Sequence, residues 1–157
     1  MPRATLGSAI RPGASLVVDT SVALAYLTGT EETSMLAGQL FDAFVATGRN
    51  AAALSVITVQ EILVRPFRGG PAAVATAEGF LRHFAQIRLV QVNYDIAREA
   101  ARIRAVSGIR APDALIIATA RIIGADIVVT NDRSWLLRSE AIAPGLTICL
   151  LADLARD

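Results

Sequence analysis

The chain contains no lysine, one histidine (His83) and one cysteine (Cys149). A single cysteine excludes an intrachain disulfide, and with one histidine it leaves no ligand set for a His/Cys zinc site. Cys149 sits in "LTICLL", where a buried apolar thiol is expected. Aromatic residues make up only 5% of the chain, so Ala, Leu, Ile and Val must fill the core. No apolar run approaches the roughly 18 residues that a membrane helix needs. The N-terminal "MPRATLGSAIRPGAS" lacks the apolar centre of a signal peptide. A cytoplasmic protein with no membrane attachment is expected. The net charge of +1 gives no bulk attraction to nucleic acid, although all of the Lys/Arg charge is arginine, whose fork fits phosphate.

What is present is a globular composition, 54% hydrophobic and 18% charged over 157 residues. That length suits one domain with a sizeable core. Residues 1–14 read as a flexible tail, and residues 15–157 as the single domain.

Short continuous apolar runs mark buried strands at "LVVD" (16–19), "AALSVI" (52–57), "RLVQV" (88–92), "DIVVTND" (126–132) and "LTICLL" (146–151). Helical patterns lie between them. "SVALAYL" (21–27) follows a hydroxyl cap, and residues 31–47 carry apolar residues at helical spacing. "TVQEILVRPF" (58–67) reads as a helix capped by Thr58 and broken by Pro66. Pro71 opens a helix to about residue 85, and "YDIAREAARIRAVSG" (94–108) closes at Gly108. "APDALIIATARIIG" (111–124) is apolar on nearly every side and predicts a buried helix. Strands alternating with helices mean an α/β fold with a mainly parallel sheet of four to five strands.

In such sheets ligands bind outside the carboxyl ends of the strands. Asp19 ends the first strand and Asp132 follows the fourth, beside Thr130 and Asn131. Glu61 is expected in the first turn after the second strand, and Asp113 opens the helix that feeds the fourth. All four acids can gather at one edge. Asp113 reaches it only if the first of the two helices between strands three and four runs off or across the sheet.

Two full charges about 5 Å apart cost roughly 3 kcal/mol at an effective dielectric of about 20. Either some acids stay protonated or a cation neutralises them. All-oxygen ligands favour Mg²⁺ or Mn²⁺. Such a site suits phosphodiester hydrolysis, in which a metal activates water and stabilises the leaving oxygen. Thr20 and Ser21 can donate hydrogen bonds to the carboxylates. Arg65, Arg110 and Arg133 each lie within a few residues of an acid and are candidate contacts to substrate phosphate.

The segments "VVDTSVALAYL", "VITVQEIL", "PDALIIATA" and "DIVVTNDRSWL" together resemble the PIN-domain nucleases, most closely the VapC-type toxins of bacterial toxin–antitoxin pairs. The resemblance runs from about residue 15 to 152. It implies a three-layer PIN-like sandwich and a metal-dependent endoribonuclease. It also implies that Asp19, Glu61, Asp113 and Asp132 form the acidic quartet, supported by Ser21 and Thr130. It further implies a homodimer, an RNA substrate and a cognate antitoxin that silences the toxin.

Other readings lack a needed residue. A phosphoryl-accepting receiver domain wants a lysine near its acids. A haloacid-dehalogenase-like phosphatase wants an acid two residues after Asp19, where Ser21 stands. A dinucleotide-binding module wants a glycine-rich turn after the first strand, and "DTSVAL" has no glycine. The remaining alternative is a PIN-like RNA-binding or scaffold module without catalytic activity.

Overall fold

The apolar runs at 16–18, 52–55 and 127–130 are buried along their whole length, as strands covered on both faces must be. A computed structural model of the chain, described for residues 4–155, pairs them in one five-stranded parallel sheet. The strands are β1 (Leu16–Val18), β2 (Ala52–Ser55), β3 (Ile87–Val90), β4 (Ile127–Thr130) and β5 (Thr147–Leu150), in the order β3-β2-β1-β4-β5. Register is tight in the middle: Val17 faces Ala53 on one side and Val128 on the other.

Alternation along the strands sends side chains into two cores. Leu16, Val18, Leu54 and Val129 face one core, which helices α2 (Thr20–Thr28), α4 (Val56–Gly69) and α5 (Pro71–His83) cover. Val17, Ala53 and Val128 face the other, under α6 (Tyr94–Ser107) and α7 (Ala111–Ile122). The fold is therefore the expected three-layer α/β sandwich. Four of the few aromatics, Tyr26, Phe41, Phe80 and Phe84, gather in the first core with ring centroids 4.8–5.8 Å apart.

Two helices connect β3 to β4, and they divide the work. α6 packs mainly on α7, while α7 lies against β1, β2 and β4. Ala114, Ile116, Ile117, Ala118 and Ala120 are fully buried there, so the helix is apolar all round because it is enclosed. α6 stops at Gly108, which adopts φ 67 and donates to the Arg104 carbonyl.

Several boundaries differ from the sequence reading. α4 begins at Val56, directly after β2, with Ser55 as its cap, so Thr58 is not a cap. The run "SVITV" is apolar and β-branched, and periodicity cannot separate strand from helix there. Pro66 does not break α4: it sits in the last turns, and the helix ends at Gly70 with φ 104. Residues 31–47 form a short helix α3 (Ser34–Gly38) that continues as a π-helix over Gln39–Val45.

The segment expected as a flexible tail is packed over its described part; residues 1–3 lie outside the described residues. Thr5 and Ser8 form a capping box on a helical turn, α1 (Leu6–Ala9). Leu6, Ile10 and Ala14 are buried in the first core. Asn50 donates to the carbonyls of Arg11 and Ala14 at 2.9 and 2.8 Å, and Arg49 donates to that of Ile10. Asp126 accepts from the Ser15 amide at 2.8 Å, at the sheet edge opposite the C-terminal ends of the strands.

Candidate active site

β1 ends at Val18, and Asp19 takes the N-cap position of α2 in extended conformation. Its side chain makes no capping hydrogen bond. Instead Oδ2 accepts from Ser21 Oγ at 2.7 Å and from Thr130 Oγ1 at 2.8 Å. Asp19 is 5% exposed. Burial pushes its carboxyl up to about 6, the Ser21 and Thr130 hydrogen bonds oppose that rise, and the charges of Asp113 and Glu61 add to it.

Ser21 and Thr130 each serve twice. Ser21 Oγ accepts from the Asn131 amide at 3.1 Å, and Thr130 Oγ1 accepts from the Asp132 amide at 3.0 Å. The turn after β4 is thereby fastened to the hydroxyls that hold Asp19. Asn131 points its amide group at Thr33 Oγ1 and the Ser21 carbonyl, so it joins α2 to this turn. Asp132 accepts from the Ser134 amide at 2.9 Å through Oδ1, at the start of a short helix, α8 (Ser134–Leu137).

Glu61 lies in the second turn of α4 rather than the first, because the helix starts earlier than expected. Its Oε1 accepts from Thr20 Oγ1 at 2.8 Å. Thr20 also lies 2.9 Å from Thr58 Oγ1, and both threonines are buried. Thr58 thus joins the candidate site, a contact that the sequence reading misses. Its place one helical turn before Glu61 is the available signal.

Asp113, in the first turn of α7, is 8% exposed. Arg110 forks onto it, Nε to Oδ2 at 3.1 Å and a terminal nitrogen to Oδ1 at 3.5 Å. Burial still outweighs the guanidinium and holds the Asp113 carboxyl above its usual range, with Asp132 contributing repulsion. The other two candidate arginines stand apart. Arg133 binds Asp153, and Arg65 lines a groove between α2, α4 and α5 with Leu24, Leu27 and Ile62.

The four acids thus come from the carboxyl ends of β1 and β4 and the opening turns of α4 and α7, and their charges act on one another in pairs. Among the described residues, no three acidic, histidine or cysteine side chains converge closely enough to hold an ion as they stand. Three of the acids are engaged by other partners: Thr20 donates to Glu61, Arg110 to Asp113 and the Ser134 amide to Asp132. The donor set is nevertheless all oxygen. No hydrogen bond among the described residues reaches Asp19 Oδ1, Glu61 Oε2 or Asp132 Oδ2, so these three acids each keep an oxygen for a further partner, whereas Arg110 engages both oxygens of Asp113.

The model of the PIN domain family matches residues 16–139 of the chain. A comparison with curated protein sequences finds no match. Among solved structures, the chain is similar to VapBC2 from Rickettsia felis bound to a DNA fragment of its promoter. That match has TM-score 0.63 and 16% identity, covering 85% of this chain and 96% of that one. It is similar to Mycobacterium tuberculosis VapC20, described as a sarcin-ricin loop cleaving toxin, with TM-score 0.62, 21% identity and coverage of 78% and 93%. VapBC-5 of the same organism matches with TM-score 0.58 at 25% identity, over 87% of this chain and 98% of that one. The parallel sheet, the acids at its carboxyl edge and a family match that spans four of the five strands and all four acids agree that this chain belongs to the PIN domain family.

Proposed function

We propose that this PIN-domain chain is a divalent-metal-dependent endoribonuclease and the toxin of a toxin–antitoxin pair. The observation that carries the reading is Asp19. A carboxylate at a helix N-cap position ordinarily binds the helix amides. This one is held by two hydroxyls instead, is buried, and faces the charges of two further acids. Such an arrangement is costly without a cation and stable with one.

The donor chemistry fits Mg²⁺ or Mn²⁺, which prefer oxygen ligands. Asp19, Asp113 and Asp132 would hold the ion, with Glu61 completing the acidic set. A divalent cation, when bound, supplies water activation and neutralises charge that develops on the phosphate. The chain's own contribution is rigidity. Ser21 and Thr130 fix Asp19, Thr20 and Thr58 fix Glu61, and the β4 turn fixes Asp132.

An RNA substrate and a cognate antitoxin are the partners this reading requires, and a homodimer is its expected state. Exposed apolar side chains, among them Met35, Phe67 and Leu137, are surfaces such protein partners would cover. The VapBC complexes among the structural neighbours support the same reading.

The test is incubation of purified protein with cellular RNA in Mg²⁺, in EDTA, and with Asp19→Asn as control. Equal cleavage by that variant would sink the catalytic assignment of Asp19, and absence of metal-dependent cleavage by wild type would leave the RNA-binding or scaffold module as the better reading. The toxin role has its own check: expression without the antitoxin should arrest growth, and unaffected growth counts against it.

A further inference from the structure

Arg110 stands where the proposed cation must act. It occupies the N-cap position of α7 with an extended backbone, and its guanidinium folds back over the first turn onto both oxygens of Asp113. The arginine side chain is 77% exposed and the aspartate side chain 11%. A solvent-facing cation therefore caps a largely buried acid. Among the described residues the Arg110 guanidinium has no other hydrogen-bond partner, and no other candidate acid is in an ion pair. Its charge also acts on Glu61 and Asp132, so it faces the acidic set rather than Asp113 alone.

A carboxylate whose oxygens accept a guanidinium fork cannot present the same lone pairs to a metal ion. A guanidinium displaced from a carboxylate keeps a geometry that fits a phosphate equally well. The guanidinium end of this pair is exposed, so it rehydrates on leaving, and an incoming cation takes over the buried acid. Arg133 pairs instead with Asp153, which is not one of the four candidate acids.

We propose that Arg110 is an exchangeable counter-ion: it occupies Asp113 while the site is free of metal, and on displacement it positions RNA by binding a backbone phosphate. The inference rests on the reading of the acids as a metal site. It makes metal and RNA binding mutually reinforcing, because the ion frees the arginine that the RNA needs, and such coupling is reciprocal. Arg110 acts as a positioning residue.

The experiment compares wild type, Arg110→Ala and Arg110→Lys as full-length, chelator-treated proteins. Mn²⁺ binding is measured by calorimetry without RNA. Cleavage of a single-stranded oligoribonucleotide in saturating Mn²⁺ then gives KM and kcat. With its competitor gone, Arg110→Ala should bind Mn²⁺ up to about fivefold more tightly. Its KM for the oligoribonucleotide should rise about tenfold, with a smaller fall in kcat, for loss of a charged phosphate contact. Arg110→Lys should recover part of the KM loss. Unchanged or weaker Mn²⁺ binding by Arg110→Ala overturns the exchange while leaving the metal site standing. An unchanged KM overturns the phosphate contact. Absence of Mn²⁺ binding in wild type and variant alike overturns the metal-site reading itself, and the inference with it.

Discussion

Thr130 donates its hydroxyl proton to Asp19 Oδ2 at 2.8 Å, across a gap of 111 residues in the chain. Thr130 ends β4 and Asp19 directly follows the adjacent parallel strand β1, and the pairing of Val18 with Val129 sets them side by side. Thr130 is fully buried and its oxygen also receives the Asp132 amide. One hydroxyl thereby links the first and fourth candidate acids.

That link predicts the effect of Thr130→Val. The isosteric change keeps the packing and removes the donor to Asp19 and the acceptor for Asp132. The loss of stability should be about 1–3 kcal/mol, the usual result of unpairing buried polar groups. Thr130→Ser should retain most of it. Urea denaturation of the three proteins in EDTA measures the difference, and equal midpoints for valine and threonine would contradict the role assigned to this hydroxyl.

Asp19 gives a prediction in pH. Its carboxyl lies at about 6 in the fold, above its ordinary value of 3.8. The folded protein therefore binds this proton more tightly than the unfolded chain. Stability from Asp19 is present below about pH 4 and is lost as pH rises through about 6, a loss of at most about 3 kcal/mol. Asp19→Asn lacks that slope. In EDTA the variant should be more stable than wild type at pH 7.5 by about 1–3 kcal/mol, with the gap closing toward pH 4. Denaturation curves at both pH values check it. A gap that widened on acidification would show the ionised acid to be stabilising.

The N-terminal segment gives a third. Ile10 is fully buried against the first core, and Arg49 donates to its carbonyl. Ile10→Ala should cost about 2–5 kcal/mol. Thermal unfolding reads this directly. No change in midpoint would mean that residues 4–14 are a loose tail after all.

Much of this molecule is legible in its sequence because the signals are strong where burial is complete. The runs at 16–18 and 127–130 read as strands since a strand covered on both faces needs continuous apolar residues. The helix at 111–122 reads as buried for the same reason. Asp19 and Asp113 lie at the element ends where the pattern puts them. Boundaries are illegible where the physics is ambiguous: "SVITV" suits strand and helix alike, and that shifts Glu61 by a turn. The segment before Ser15 reads as a tail because Leu6, Ile10 and Ala14 are too sparse to show a period, yet each finds a tertiary partner. Thr58 has the look of a cap, and its contact with Thr20, 38 residues away, has no local signature. Arg110 and Arg133 look alike in sequence. Only the fold assigns one to Asp113 and the other to Asp153.

The central claim is that this carboxylate edge directs water, through a divalent ion, at an RNA phosphodiester. The chemical ends of the products test it most directly. Wild-type protein in Mg²⁺ should leave a linear terminal phosphate, and both EDTA and Asp19→Asn should abolish cleavage. Products ending in a 2′,3′-cyclic phosphate would mean attack by the RNA's own 2′-hydroxyl, and with undiminished cleavage by Asp19→Asn they would contradict the account.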